Sequence, residues 1–131
     1  MDFSWGNMIL LNKHVIEVLF TQDVEIDQKV AIEILTGIMA LSEGEPHALL
    51  YDFGKNHVIF SDVARKISGV RNYNNANIIS RAMVSQTMTS NMEISFYISH
   101  DKPQAETKFF DAKEKALTWL NQKVEAFLHT T

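Results

Sequence analysis

The side chains best placed to do chemistry fall in one stretch, HALLYDFGKNHVIFSDVARKI, from His47 to Ile67. Asp52 follows the apolar run Ala48 to Tyr51, where a strand would end. A carboxylate there suits a general base or one ligand of a magnesium ion, and its plainer use is to accept hydrogen bonds within a loop. Ser61 comes nine residues later, where a helix would begin. Its hydroxyl serves first as an N-cap, accepting from the free backbone donors of the first turn. Its second use is as a phosphate acceptor: the helix dipole would favour the added charge, Asp52 and Asp62 would repel it, and a surface read by a partner would change sign. His57 makes a dyad with Asp52 only if the intervening loop folds back, and that geometry has to come before any argument from pKa.

Elsewhere the chemistry is sparse. The five histidines, His14, His47, His57, His100 and His129, show no HExxH or other metal-ligand spacing, so no metal site and no cofactor are expected. No cysteine is present, which removes disulfides, thiolate catalysis and Cys-ligated zinc and agrees with a cytoplasmic setting. Arg65, Lys66, Arg71 and Arg81 either gather near one end of the sheet and attract an anion or are scattered solvated charges. Met83, Met88 and Met92 with Phe96 either line an adaptable apolar pocket or, at i+4 spacing, pack a helix onto the sheet; the packing role ranks first. Trp119, beside the apolar stripe of the last helix, is core or boundary, or an interface anchor if exposed.

A chain of 131 residues, 46% hydrophobic and 21% charged, is expected to form one domain over residues 1–131 with a core large enough to need no metal or disulfide. Its net charge of −4, with both signs interspersed, gives no basic stripe for a phosphate backbone, so nucleic acid is not an expected partner. The N-terminus is acidic and its apolar run, Met8 to Leu11, is too short for a signal peptide or a transmembrane segment.

The elements that must position these residues follow from periodicity. Met8 to Leu11 and Val15 to Phe20 read as a hairpin with a half-covered edge. Asp27 caps a helix with Val30, Ile34, Ile38 and Leu41 on one side, ended by Gly44 and Pro46. Gly37 inside it costs about 1 kcal/mol relative to Ala, explained by tolerance first and by close approach to the sheet second. Ala48 to Tyr51 is a central strand covered on both faces, followed by a helix from Asp62 to about Val70. The turn-rich RNYNNAN, Arg71 to Asn77, leads to a strand from Ile78 to Val84, and these elements make a βαβ unit. Ser85 or Thr87 caps a third helix, with Ser90 and Glu93 as an alternative capping box. Thr107 to Phe110 is a short strand. Asp111 with Glu114 opens a last helix whose core side is Ala116, Leu117, Leu120, Val124 and Phe127. The order is ββαβαβαβα: an α/β domain with a mixed sheet, an N-terminal hairpin and then βαβ crossovers.

This order, with the step from Asp52 to Ser61, resembles the STAS superfamily, the SpoIIAA-like fold of sporulation anti-sigma-factor antagonists. Those domains carry an acidic or amide residue at the end of the central strand and a Ser opening a helix nine residues on. The closing pattern Phe110, Asp111, Ala116, Leu117, Trp119 and Leu120 looks like a bacterial group of small STAS-like proteins of unassigned function, related to the CRAL-TRIO fold. The chain departs from the antagonists around Ser61, where Phe60, Asp62, Val63 and Ala64 replace the flanking Asp and the glycines. The resemblance implies a non-enzymatic regulatory or protein-interaction module. Asp52, Ser61, Asp62 and Arg65 would form the surface, and an unidentified protein or a second copy would be the partner. The alternative it implies is a small apolar-ligand binding protein, with Met83, Met88, Met92 and Phe96 over a pocket. A hydrolase or transferase ranks third, since no nucleophile–base pair or Gly-rich phosphate loop can be assembled.

Overall fold

Apolar runs, Met8 to Leu11 and the β-branched-rich Val15 to Phe20, open the chain, and they form strands. In the computed structural model, which describes residues 1–69, 77–101, 103 and 105–130, these are β1 (Asp2–Phe3), β2 (Gly6–Asn12) and β3 (Val15–Phe20). The Asn12 side chain accepts from the His14 N–H at 3.0 Å and closes the β2–β3 hairpin. Three parallel strands continue from β3: β5 (His47–Gly54), β7 (Ile78–Ser85) and β8 (Thr107–Phe110). The sheet thus has six strands in the order β1-β2-β3-β5-β7-β8. The mixed α/β architecture read from the sequence is present, with helices α1 (Gln28–Ser42), α2 (Asp62–Gly69), α3 (Met88–Phe96) and α4 (Lys113–Thr130). Val70, Arg71 and the rest of the turn up to Ala76 lie outside the described residues, as does Lys102.

Two further strands, β4 (Val24–Ile26) and β6 (Val58–Phe60), pair in parallel as a small second sheet. Each has three residues, too few to show a period. A π-helical turn, Tyr97–Asp101, extends α3.

Alternation along the strands divides the core. On one face Ile16, Val18, Leu49, Tyr51, Phe53 and Met83 pack against α1, α2 and α3; on the other Val15, Ala48, Leu50, Ala82 and Val84 meet Ala116, Leu120 and Val124 of α4. The covered central strand is β5, as its apolar run implies. The hairpin differs from expectation. Strand β3 lies inside the sheet between β2 and β5 and is buried on both faces apart from Leu19, so only β2 is half covered, with Ile9 and Leu10 exposed.

Local signals set the helix ends. Asp27 accepts from the Val30 N–H at 2.9 Å and caps α1, and Thr87 accepts from the Ser90 N–H at 3.1 Å and caps α3. The last helix starts later than its acidic signature suggests, and Asp111 pairs with Lys115 at 3.1 Å. Gly37 is explained by close approach and not by tolerance. A Cβ there would overlap Sδ of Met8, a fully buried side chain of β2.

Candidate functional site

The residues after β6 form the first part of the site. Ser61 accepts from the Ala64 N–H at 3.1 Å, so its hydroxyl is the N-cap of α2. One turn on, Arg65 reaches in three directions: to Asp62 at 2.6 Å, to Asp101 of the π-helical turn at 2.9 Å, and over the Phe96 ring at 4.9 Å. Phe96 in turn stacks on His100 with ring centroids 4.6 Å apart. Helix α3 is fastened to β6 by side chains. Ser90 Oγ accepts from the Val58 N–H at 2.9 Å and donates to the Asn56 carbonyl at 3.1 Å, while Glu93 accepts from the Phe60 N–H at 3.3 Å. Ser90 and Glu93 therefore do not cap a helix; they occupy the place of a neighbouring strand.

This attachment fixes which side of α3 faces inward. Ser90, Ile94 and Tyr97 are buried, so the i+4 series Met88, Met92 and Phe96 points outward instead of packing on the sheet. Met88 is 79% and Met92 67% exposed, and Phe96, Ile59 of β6 and Val63 of α2 are each about half exposed. Met83 is separate from them, in the core.

Beneath α2 lies the second part. A cavity of about 20 Å³ is bounded by Tyr51, Arg65, Arg81, Tyr97 and the apolar side chains Ile26, Ile34, Phe60, Ala64 and Met83. Arg81 is 2% exposed, donates to the Tyr97 hydroxyl at 2.6 Å and sits 5.8 Å from the Tyr51 ring centroid. Burial pushes both phenols above their ordinary range and the Arg81 charge opposes that rise. Arg81 is thus no solvated surface charge, and with Arg65 it borders one cavity. On the same face at the start of β5, buried His47 donates from Nδ1 to the Glu45 carbonyl at 2.8 Å. Burial holds its pKa below the usual value, the hydrogen bond to Glu45 opposing and Arg81 adding to that effect.

Asp52 is elsewhere. It lies two residues after Leu50 on the same side of β5 and so faces α4, on the side of the sheet opposite Ser61. It accepts from the Gly54 N–H at 3.0 Å. Burial raises its pKa, Lys113 and the Gly54 hydrogen bond oppose the rise, and Glu17 adds to it. Glu17, buried on β3, is ion-paired with Lys113. Among the described residues, no group of three His, Asp or Glu side chains converges as a metal site would require.

The sequence pattern of a family described as a domain of unknown function, DUF7793, matches residues 9–124. The chain belongs to the DUF7793 family. No curated protein matches it. Among solved structures it is similar to an uncharacterised protein of the DUF3478 family with a SpoIIAA-like fold from Shewanella loihica PV-4. The two share 16% sequence identity and a TM-score of 0.58, over 87% of this chain and 90% of the other. The DUF7793 domain therefore has a SpoIIAA-like fold, as the STAS resemblance implied. Of its sequence-derived site residues, Ser61, Asp62, Arg65 and Phe96 come together, Met88 and Met92 flank them on α3, Met83 lines the cavity and Asp52 is on the other face. Tyr51, Tyr97, Asp101, Glu17 and Lys113 were not singled out. Arg81 in IISRAMV was the available signal, since a charge within an apolar central strand must find partners inside.

Proposed function

We propose that this DUF7793 domain is a non-enzymatic protein-interaction module whose docking surface is made by β6, the first turn of α2 and the outer side of α3. One observation carries the reading: the exposed apolar side chains Ile59, Val63, Met88, Met92 and Phe96 lie on elements that are tied together around Ser61. Apolar patches of this kind on folded domains mark contact surfaces, and Met and aromatic residues are enriched at their centres. The partner is another protein chain, reached in the cytoplasm, and Ser61 acts there first as the cap that holds α2 against the patch. No helix among the described residues is long and apolar enough to cross a membrane.

The test is a quantitative pull-down from host extract with wild-type protein and the double variant Met88→Lys/Met92→Lys. Both side chains are mostly in solvent, so the melting temperature should stay within about 2 °C, as for surface substitutions generally. Specific capture should be lost. Undiminished capture by a variant that folds normally would refute the surface.

A further inference from the structure

A cleft at the C-terminal end of α1 holds charges of both signs that do not pair with one another. It is separate from the docking surface, which adjoins the other end of α1 through β4 and β6. Its volume is about 400 Å³, inside the range of sites that take small molecules. Lys13, from the turn between β2 and β3, and Glu43 and Glu45, from the turn after α1, all line it. None of the three forms an ion pair among the described residues. Ser42 is the independent sign of a ligand. It lines the same cleft, is only 7% exposed, and its Oγ has no hydrogen-bond partner among the described residues. A serine in the last turn of a helix can bond back to the carbonyl four residues earlier, and this one does not. A hydroxyl buried in that state costs free energy until a group in the cleft completes it.

The charges narrow the class. A ligand with negative charge alone would meet two carboxylates and the carbonyl end of α1, where the helix dipole is also negative. One with positive charge alone would meet the Lys13 ammonium. A ligand that carries both charges can satisfy both sets of groups. A metal ion would find two carboxylates there, and no group of three His, Asp or Glu side chains converges among the described residues. The apolar part of the wall is exposed Leu10 of β2 and half-buried Leu41 of α1. Two leucines suit a short aliphatic side chain, whereas an acyl chain would need a longer apolar wall. We infer that the cleft binds a free α-amino acid with an aliphatic side chain, its ammonium taken by Glu43 and Glu45 and its carboxylate by Lys13 and the Ser42 hydroxyl.

The full chain is titrated by calorimetry with L-leucine and with two analogues that keep the branched chain and lose one charge: 3-methylbutylammonium chloride and sodium 4-methylpentanoate. Saturable binding of leucine with a Kd of about 1 mM is expected of charge-assisted hydrogen bonds made at a partly open site. Each analogue should bind about tenfold more weakly, the loss of one hydrogen-bonded charge. Lys13→Met and the double variant Glu43→Gln/Glu45→Gln should each weaken leucine by a similar factor, and thermal melting confirms that both fold. Absence of saturation with leucine, an analogue that binds as tightly as leucine, or unchanged affinity in both variants would each overturn the assignment.

Discussion

Replacing Lys113 with Met should destabilise the protein in a way that depends on the charge of Glu17. Glu17 is 3% exposed on β3, and the ammonium that balances it belongs to a side chain 41% exposed at the start of α4. Removing one partner of a fully buried pair costs about 3–5 kcal/mol, because the remaining charge is left without compensation. An exposed pair is worth about 1 kcal/mol or less. With one partner inside and the other half in water, about 2 kcal/mol is expected, or roughly 6 °C in Tm for a chain of this length. Asp52, which also faces Lys113, adds to the penalty. The assay is thermal melting at pH 7.5 for Lys113→Met, alone and combined with Glu17→Gln. The loss should largely disappear in the double variant, since neutralising Glu17 removes the charge that has lost its partner. Lys115→Met is the internal control, because Asp111–Lys115 is exposed on both sides and its loss should not register. A drop of less than about 2 °C, or an equal drop with Glu17→Gln present, would show that the pair contributes nothing by its charge.

Three further perturbations follow from the same structure. Burial raises Asp52, so its contribution to stability is present below its unfolded value near 3.8 and is lost as pH rises through the higher folded value. Asp52→Asn, which can still accept from Gly54, should gain on wild type across that interval in urea titrations; parallel profiles would contradict the shift. Ser90→Ala strands the Val58 N–H and the Asn56 carbonyl and should cost about 1–3 kcal/mol, with faster hydrogen exchange at the Val58 amide. An unchanged exchange rate there would mean that the serine does not seal β6. Gly6→Ala should destabilise by about 3 kcal/mol or more in chemical denaturation, because its Cβ would fall on the Leu19 carbonyl oxygen and force β2 from β3; a loss under about 1 kcal/mol would exclude that overlap.

Much of the fold was legible because its signals are local. Caps at Asp27 and Thr87, the β-branched run of β3 and the apolar run of β5 all operate within a few residues. What escaped depends on long-range partners. Strands β4 and β6 pair across the whole of α1 and have no period of their own. The Met series on α3 has the spacing of a buried stripe, yet Ser90, Ile94 and Tyr97 have similar helical spacing and face the core. The choice between them was made by bonds from β6 that a polar Ser90 does not announce. Arg81 was open to reading as a solvated charge and Glu17 drew no notice, because Tyr97 and Lys113, which hold them inside, come from later elements. Asp52 and Ser61 were paired by their spacing, but the alternation of β5 sends the Asp52 side chain to the opposite face.

The side-chain seal on β6 also limits how another molecule can recognise this region. The Val58 and Phe60 amides, which a foreign strand would need, are already taken by Ser90 and Glu93. Lengthening the small sheet from outside along this edge would require both bonds to break and α3 to lift away. Any chain that binds there without unfolding α3 must therefore read side-chain shape and polarity, so its selectivity would be encoded in its own residues and not in a generic extended backbone.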